Sequence, residues 1–203
     1  NATFHHNLLA HHDSRNPRYN GWKRSGLDYN NPFDEERMDY RNNVIYNWGA
    51  NSGYGGEAVG KYNVVNNYFK PGPATSSGSK ARLVQIDIDA STAYYPRHGR
   101  FYLTGNVMHN NATVTNNNRN GVTNKTGFPL DSCLVSVPYA VKPITQHTAD
   151  LAYERVLAHV GASLKRDTID RRIVREVTQG TYTFTGSNGS KNGLIDTQSD
   201  VGG

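Results

Sequence analysis

A chain of 203 residues with a formal charge of +5 is long enough for one domain with a real core. Only 35% of it is hydrophobic, yet 13 Tyr and 20 Gly stand among frequent Asn, a mix unlike that of disordered segments. Its single cysteine, Cys133, excludes an intrachain disulfide and a cysteine-based zinc site, and no apolar run is long enough to span a membrane as a helix.

The chain opens on NATFHHNLL, which reads as a strand already in progress, so structure is expected before Asn1. Four segments then resemble one another: FHHNLLAH from Phe4, YRNNVIYN from Tyr40, VVNNYFK from Val64 and LTGNVMHN from Leu103. Each places an Asn (Asn7, Asn43, Asn67, Asn106) directly before apolar residues. Irregular spacing of such copies suggests stacked coils carrying loops of different length. An all-β parallel β-helix follows, with Asn side chains tolerating left-handed turns and hydrogen-bonding in a ladder along the axis. The competing architecture is a β-sandwich with Asn-rich turns. The inserted loops are Tyr19 to Arg37, Lys70 to Lys80 and Asn110 to Gly127, and such loops are where coil folds carry function.

From Thr148 the period changes to that of a helix. Leu151, Val156, Leu157 and Val160 fit one stripe that stops at Gly161, and Asp167 caps a second helix with Ile169, Ile173, Val174 and Val177 inward, ending at Gly180. Residues 1–147 are therefore read as the coils, and residues 148–203 as a helical and extended C-terminal segment packed on them as scaffold.

The stretch HHDSRNPR, His11 to Arg18, concentrates polarity in eight residues. The forked guanidinium of Arg15 suits bidentate pairing with a carboxylate, and the bland alternative is an ion pair with Asp13. His12 is a groove-lining candidate; on one strand His5 and His6 would point to opposite faces, so they are not expected to act as a pair. Trp22, Tyr29 and Trp48 are candidates for stacking on sugar rings, with Trp48 equally suited to the core. Asp87 and Asp89 share a strand face and could hold a cation. Positive charge favours a polyanionic partner, but Lys and Arg are scattered, which disfavours nucleic acid.

ATFHHNLLAHHDSRNPR, followed by RNNVIYNWG and YNVVNNYFKPGP, resembles the pectate lyase superfamily of right-handed β-helices. There a TFHHNLF-type strand leads to an Arg-x-Pro-x-x-Arg segment. The tail AYERVLAHVGASLKRDTIDRRIVREVTQG is similar to the C-terminal segment of bacterial pectate lyase-like proteins. The resemblance implies a secreted or periplasmic lyase acting on polygalacturonate or a related uronate polymer, of which this chain is the C-terminal part. It implies Arg15 as the catalytic base; Arg18, next to the position where the motif departs, could bind the carboxylate instead, and His12 and Trp22 are substrate contacts on residue chemistry alone. Asn20 stands where the motif has its last Arg. Calcium is the implied cofactor, its ligands upstream of this chain, with no metal ligand assigned within it. The implied partners are an acidic polysaccharide and, if separate, the N-terminal part of the β-helix; no nucleic acid and no membrane. The alternative is a non-catalytic carbohydrate-binding or surface β-helix protein. A hydrolase would need paired acids, for which only Asp13 and Asp28 are near.

Overall fold

The computed structural model describes residues 2–19, 36–57, 60–88, 98–186 and 192–202. Trp22, with Asn20, Asp28, Tyr29 and Asp89, lies outside the described residues.

The strands are short because each coil must turn three times. The first coil supplies β1 (Ala2–His5), β2 (Leu8–Ala10) and β3 (Arg18–Tyr19). The second supplies β4 (Glu36–Arg41), β5 (Val44–Tyr46) and β6 (Gly53–Gly55), and the third β7 (Gly60–Val65), β8 (Tyr68–Lys70) and β9 (Val84–Ile86). The fourth supplies β10 (Arg100–Thr104), β11 (Val107–Met108) and β12 (Val122–Asn124). Equivalent strands pair in parallel across coils, giving a first sheet β1-β4-β7-β10, a second β2-β5-β8-β11 and a third β3-β6-β9-β12. The repeat sets the register: Leu8 pairs with Val44, Val44 with Tyr68, and Tyr68 with Val107. This is a parallel β-helix, and it excludes the sandwich.

The turn between the first two sheets divides its labour between two neighbouring residues. The left-handed conformation falls on His6, Asn42, Asn66 and Gly105, with φ of 54°, 55°, 52° and 66°. The ladder falls on the next residue. Asn7 Nδ2 donates to Asn43 Oδ1 (2.9 Å), Asn43 Nδ2 to Asn67 Oδ1 (3.1 Å), and Asn67 Nδ2 to Asn106 Oδ1 (2.9 Å). The patterned Asn are thus ladder rungs, not left-handed residues. A fifth rung, Asn118, accepts from Asn106 Nδ2 at 2.9 Å. It comes after a short helix, α1 (Ala112–Asn116), and no apolar pair follows it. A second left-handed turn recurs at His11, Asn47 and Asn110. In the third coil Pro71 follows β8, and its ring fixes φ near −65°.

Inside the coils Tyr19, Tyr40, Ile45, Trp48, Tyr62, Phe69, Leu83, Phe101 and Met108 form one core. Tyr62 stacks on Phe101 at 4.6 Å between ring centroids, within the distance range favourable for aromatic pairs. Trp48 is fully buried and its Nε1 donates to Ser79, so of its two candidate roles the structure selects the core. Cys133, at the end of α2 (Leu130–Cys133), is buried there too.

Two sheets have their outer faces covered. Helices α3 (Ala149–His159) and α4 (Thr168–Gln179) pack Val156, Leu157 and Val177 onto Ala10, Val44 and Tyr46 of the second sheet. That burial on both faces is why VIY reads as a continuous apolar run. Thr148 and Asp167 cap the two helices, while Leu151, assigned to the inward stripe, faces solvent at 36% exposure. Lys70 Nζ donates to the carbonyls of Val177 (2.7 Å) and Thr178 (3.1 Å), a cation on the last turn of α4. Across the first sheet runs an extended segment: Tyr139 N donates to Asn63 Oδ1 (3.0 Å), and Asn42 and Asn66 donate to the His147 carbonyl.

Candidate functional site

The third sheet keeps a half-exposed outward row. Strand alternation turns Tyr19, Gly55 and Ile86 inward, so their neighbours Arg18, Tyr54 and Gln85 point outward, and the register places Arg18 beside Tyr54, Tyr54 beside Gln85, and Gln85 beside Thr123.

The turn that delivers Arg15 to this row is stapled to the second coil. The Asp13 carbonyl accepts from Gly49, Ala50 and Asn51, and its carboxylate accepts from Ala50 N. Gly49 leaves room for the Asp13 carboxylate, which would have to shift to admit a Cβ. Asn16 is buried, with its backbone N on Ser52 O (3.0 Å) and its Nδ2 on Asn51 O (3.2 Å). Between these anchors Arg15 takes a left-handed φ of 67°, a sparsely populated region for a residue with a side chain.

Arg15 is exposed, and its Nε donates to the Tyr54 hydroxyl at 3.1 Å. Arg18 Nη1 donates to the same hydroxyl at 3.3 Å, and its guanidinium carbon lies 5.2 Å from the Tyr54 ring centroid. Arg18 Nη2 is ion-paired with Glu57 Oε1 at 2.6 Å. Burial pushes the Tyr54 phenol up, but the hydrogen bonds and charges of Arg15 and Arg18 outweigh it and hold the phenol below its ordinary value. Burial also works against the charge of Arg18, but Tyr54 and Glu57 hold its guanidinium above the ordinary value. Next along the row, Arg82 bonds Thr123 Oγ1 (3.0 Å) and Gly78 O (3.1 Å). Asp87 accepts from Gln85 at 2.9 Å.

Of the residues named from sequence, the fold brings Arg15 and Arg18 together around one oxygen. His12 is exposed, its Nδ1 3.2 Å from Asn16 Oδ1. His11 points the other way, buried under α4 with its Nε2 2.9 Å from Glu176 Oε2, and His5 and His6, expected apart, meet at 2.9 Å between their Nδ1 atoms because the strand ends at His5 and turns at His6. Tyr54 and Glu57 were missed. A signal existed: the 36-residue offset between the first two coils, added to Arg18, lands on Tyr54.

A calcium cage needs six to eight oxygen ligands. Among the described residues no group of three or more His, Cys, Asp or Glu is placed to hold a metal ion. Glu57 is committed to Arg18 and the Asp13 carboxylate to a backbone amide. The described residues do not fit a calcium centre.

No family model matches the chain. It is 30% identical over 202 residues to a probable pectate lyase C of Aspergillus terreus, and 28% identical over 204 residues to one of Aspergillus flavus. The chain resembles pectate lyases along nearly its whole length. The two alignments cover 97% of this pectate lyase-like chain, and the chain spans 39% of the length of those curated relatives. A third such protein, from Emericella nidulans, is 29% identical over 203 residues. These relatives are fungal, whereas the sequence led us to expect a likeness of the tail to bacterial proteins.

Proposed function

We propose that the chain forms the C-terminal coils of a secreted or periplasmic polysaccharide lyase acting on polygalacturonate or a related uronate polymer. The observation that carries this reading is the convergence of Arg15 and Arg18 on the Tyr54 hydroxyl, on the outward face of a pectate lyase-like β-helix. The coils wind right-handed in this reading, as parallel crossover connections nearly always do.

The reaction removes the proton at C5 and expels the glycosidic oxygen at C4. The C5 proton is weakly acidic because the neighbouring carboxylate is already negative, so charge accumulates in the transition state. The fixed guanidinium of Arg18 near that carboxylate offsets the charge without reorganising. The resemblance gives Arg15 the role of base; Arg18, His12 and Trp22 are assigned as substrate contacts from their position and chemistry. Calcium, were the full-length protein to bind it, would supply positive charge to offset that of the substrate carboxylate; none of the described residues is assigned to hold it.

The test is incubation of the full-length protein with polygalacturonate, with calcium and with chelator. Calcium-dependent growth of the ultraviolet absorbance of the unsaturated product is expected. Binding without product favours a second reading, a non-catalytic acidic-carbohydrate-binding protein. That reading is supported by the ion pair that already engages Arg18 with Glu57, and by Asn20 at the motif's last position.

A further inference from the structure

We infer that the outer face of the first sheet carries a second binding site, for the carboxylates of a uronate polymer, built on the in-register cations Arg37, Lys61 and Arg100; the choice of polymer rests on the proposed function. The register places Arg37 of β4 beside Lys61 of β7, and Lys61 beside Arg100 of β10. Tyr40, Tyr62 and Phe101 on the same strands belong to the core, so strand alternation turns the three cations outward. Neighbouring strands lie about 4.8 Å apart, so a positive charge recurs with each coil. Like charges opposite one another on a sheet are destabilising, so packing gives no reason for such a row.

The row borders a cleft of about 550 Å³ between this face and the extended segment, lined by Arg37, Lys61 and Lys142 with Asn63 and Tyr139. Its walls are fixed to each other. Asn63 Nδ2 donates to Tyr139 O at 2.9 Å, and Tyr139 N donates back to Asn63 Oδ1 at 3.0 Å. Lys61 Nζ lies 5.8 Å from the Tyr139 ring centroid. Among the described residues the acid lining the cleft is Asp39, which is buried and bonded by Arg41 through Nε (2.6 Å) and Nη2 (2.5 Å), so its charge is already met. Glu36 shares the inward parity of Tyr40 and bonds Tyr62. The described residues thus leave the cleft with an excess of positive charge.

The ligand that fits is linear, lies along the axis of the coils and carries a negative charge at each repeat. A uronate polymer has a carboxylate on every sugar, a repeat comparable to the distance between coils. Arg37 and Arg100 present planar forks to carboxylates, and Lys61 a compact charge between them. No calcium is needed, because the positive charges are side chains. Arg15 and Arg18 belong to a different face of the coils, so polymer held on the first sheet raises its own concentration near them.

Lysine acetylation of the full-length protein, read by mass spectrometry with chelator present to keep the polymer intact, tests the site. Polygalacturonate at tenfold its dissociation constant is expected to slow acetylation of Lys61 and Lys142 about tenfold. Lys165, between α3 and α4, should react as before. Fully methyl-esterified polymer, its carboxylates masked, should protect neither lysine. Equal protection by that polymer, or stronger protection by single-stranded DNA, overturns the inference. Lys61→Gln combined with Arg100→Gln, both outward-facing, is expected to weaken polygalacturonate binding in chelator about tenfold by calorimetry. Unchanged affinity overturns the inference too. Cleavage of polygalacturonate with Lys61 unprotected sinks this site and leaves the lyase reading standing. Protection of Lys61 without cleavage at any calcium concentration sinks the lyase reading and leaves the site.

Discussion

Arg18 is held by two partners of unequal burial, and this sets what its removal does. Glu57 is buried to 7% exposure, its Oε1 on Arg18 and its Oε2 without a hydrogen-bond partner among the described residues. Arg18→Ala would strand that carboxylate, so it is expected to cost about 2–4 kcal/mol of stability besides any substrate contact. Arg18→Ala with Glu57→Gln should recover most of that loss in a urea titration, while a substrate-binding defect should persist. His11 gives a second expectation. Asn47 Nδ2 donates to its Nδ1 at 3.0 Å, which leaves the ring proton on Nε2, facing Glu176. Burial lowers its pKa to about 4 against the pull of Glu176, with Arg172 and His12 adding to the fall. The unfolded chain binds this proton near pH 6.5 and the folded chain does not. Stability is therefore full above 6.5 and drains away as pH falls toward 4. Between pH 7 and about 4.5 the wild type should lose roughly 2–3 kcal/mol more than His11→Gln, measured by urea unfolding. Equal losses in the two proteins would rule out His11 as the source.

The asparagine ladder is where sequence and structure speak most directly to each other. Four rungs were legible because each Asn precedes its apolar pair at a fixed place in the coil. Asn118 was not, because α1 intervenes and the rung sits in a tight turn only 12 residues beyond Asn106. Left-handed geometry could not be assigned to one residue of each Asn-containing pair from composition alone, since Asn suits both positions; His6 and Gly105, where the pair is not Asn-Asn, reveal the division. The outward row of the third sheet was half legible. Arg15 and Arg18 belong to one local motif, whereas Tyr54 and Glu57 join them only through the coil offset, and Trp22 lies outside the described residues. Rung position also sets energetic weight. Asn67 is fully buried, accepts from Asn43 N (2.9 Å) and Nδ2 (3.1 Å), and donates to Tyr40 O (3.0 Å) and Asn106 Oδ1 (2.9 Å). Asn67→Ala leaves several of those groups unsatisfied inside the coil and is expected to cost about 3–5 kcal/mol. Asn7→Ala, on the exposed rung of the first coil, should cost about 1 kcal/mol. Equal losses by chemical denaturation would mean that the ladder is not what holds the coils in register.

At the scale of the whole molecule, the three sheets are treated differently: the 135–147 segment crosses the first, α3 and α4 cover the second, and the third keeps the half-exposed row with Arg18 and Tyr54. Reading residues 148–203 as a segment added to finished coils makes a sharp prediction, because it would let the coils stand without it. The packing argues otherwise. Val44 and Tyr46 are essentially inaccessible only because Val156, Leu157 and Val177 lie on them, and Lys70 is buried at 7% exposure against the last turn of α4. Uncovering a large apolar side chain costs about 1.5–3 kcal/mol. Removing the helices bares the three coil residues of this cluster, Ala10, Val44 and Tyr46, which costs on the order of 5 kcal/mol, a large share of the roughly 5–15 kcal/mol that stabilises a whole domain. A chain ending at His147 should lose its cooperative thermal transition, bind a hydrophobic dye and associate through the bared second sheet. The helices should in turn protect amides of β5 and β8 from exchange as strongly as the interior protects those of β7. A truncated chain that stays monomeric and melts within a few degrees of the intact one would show that the coils are stable by themselves and that α3 and α4 are an appended cover.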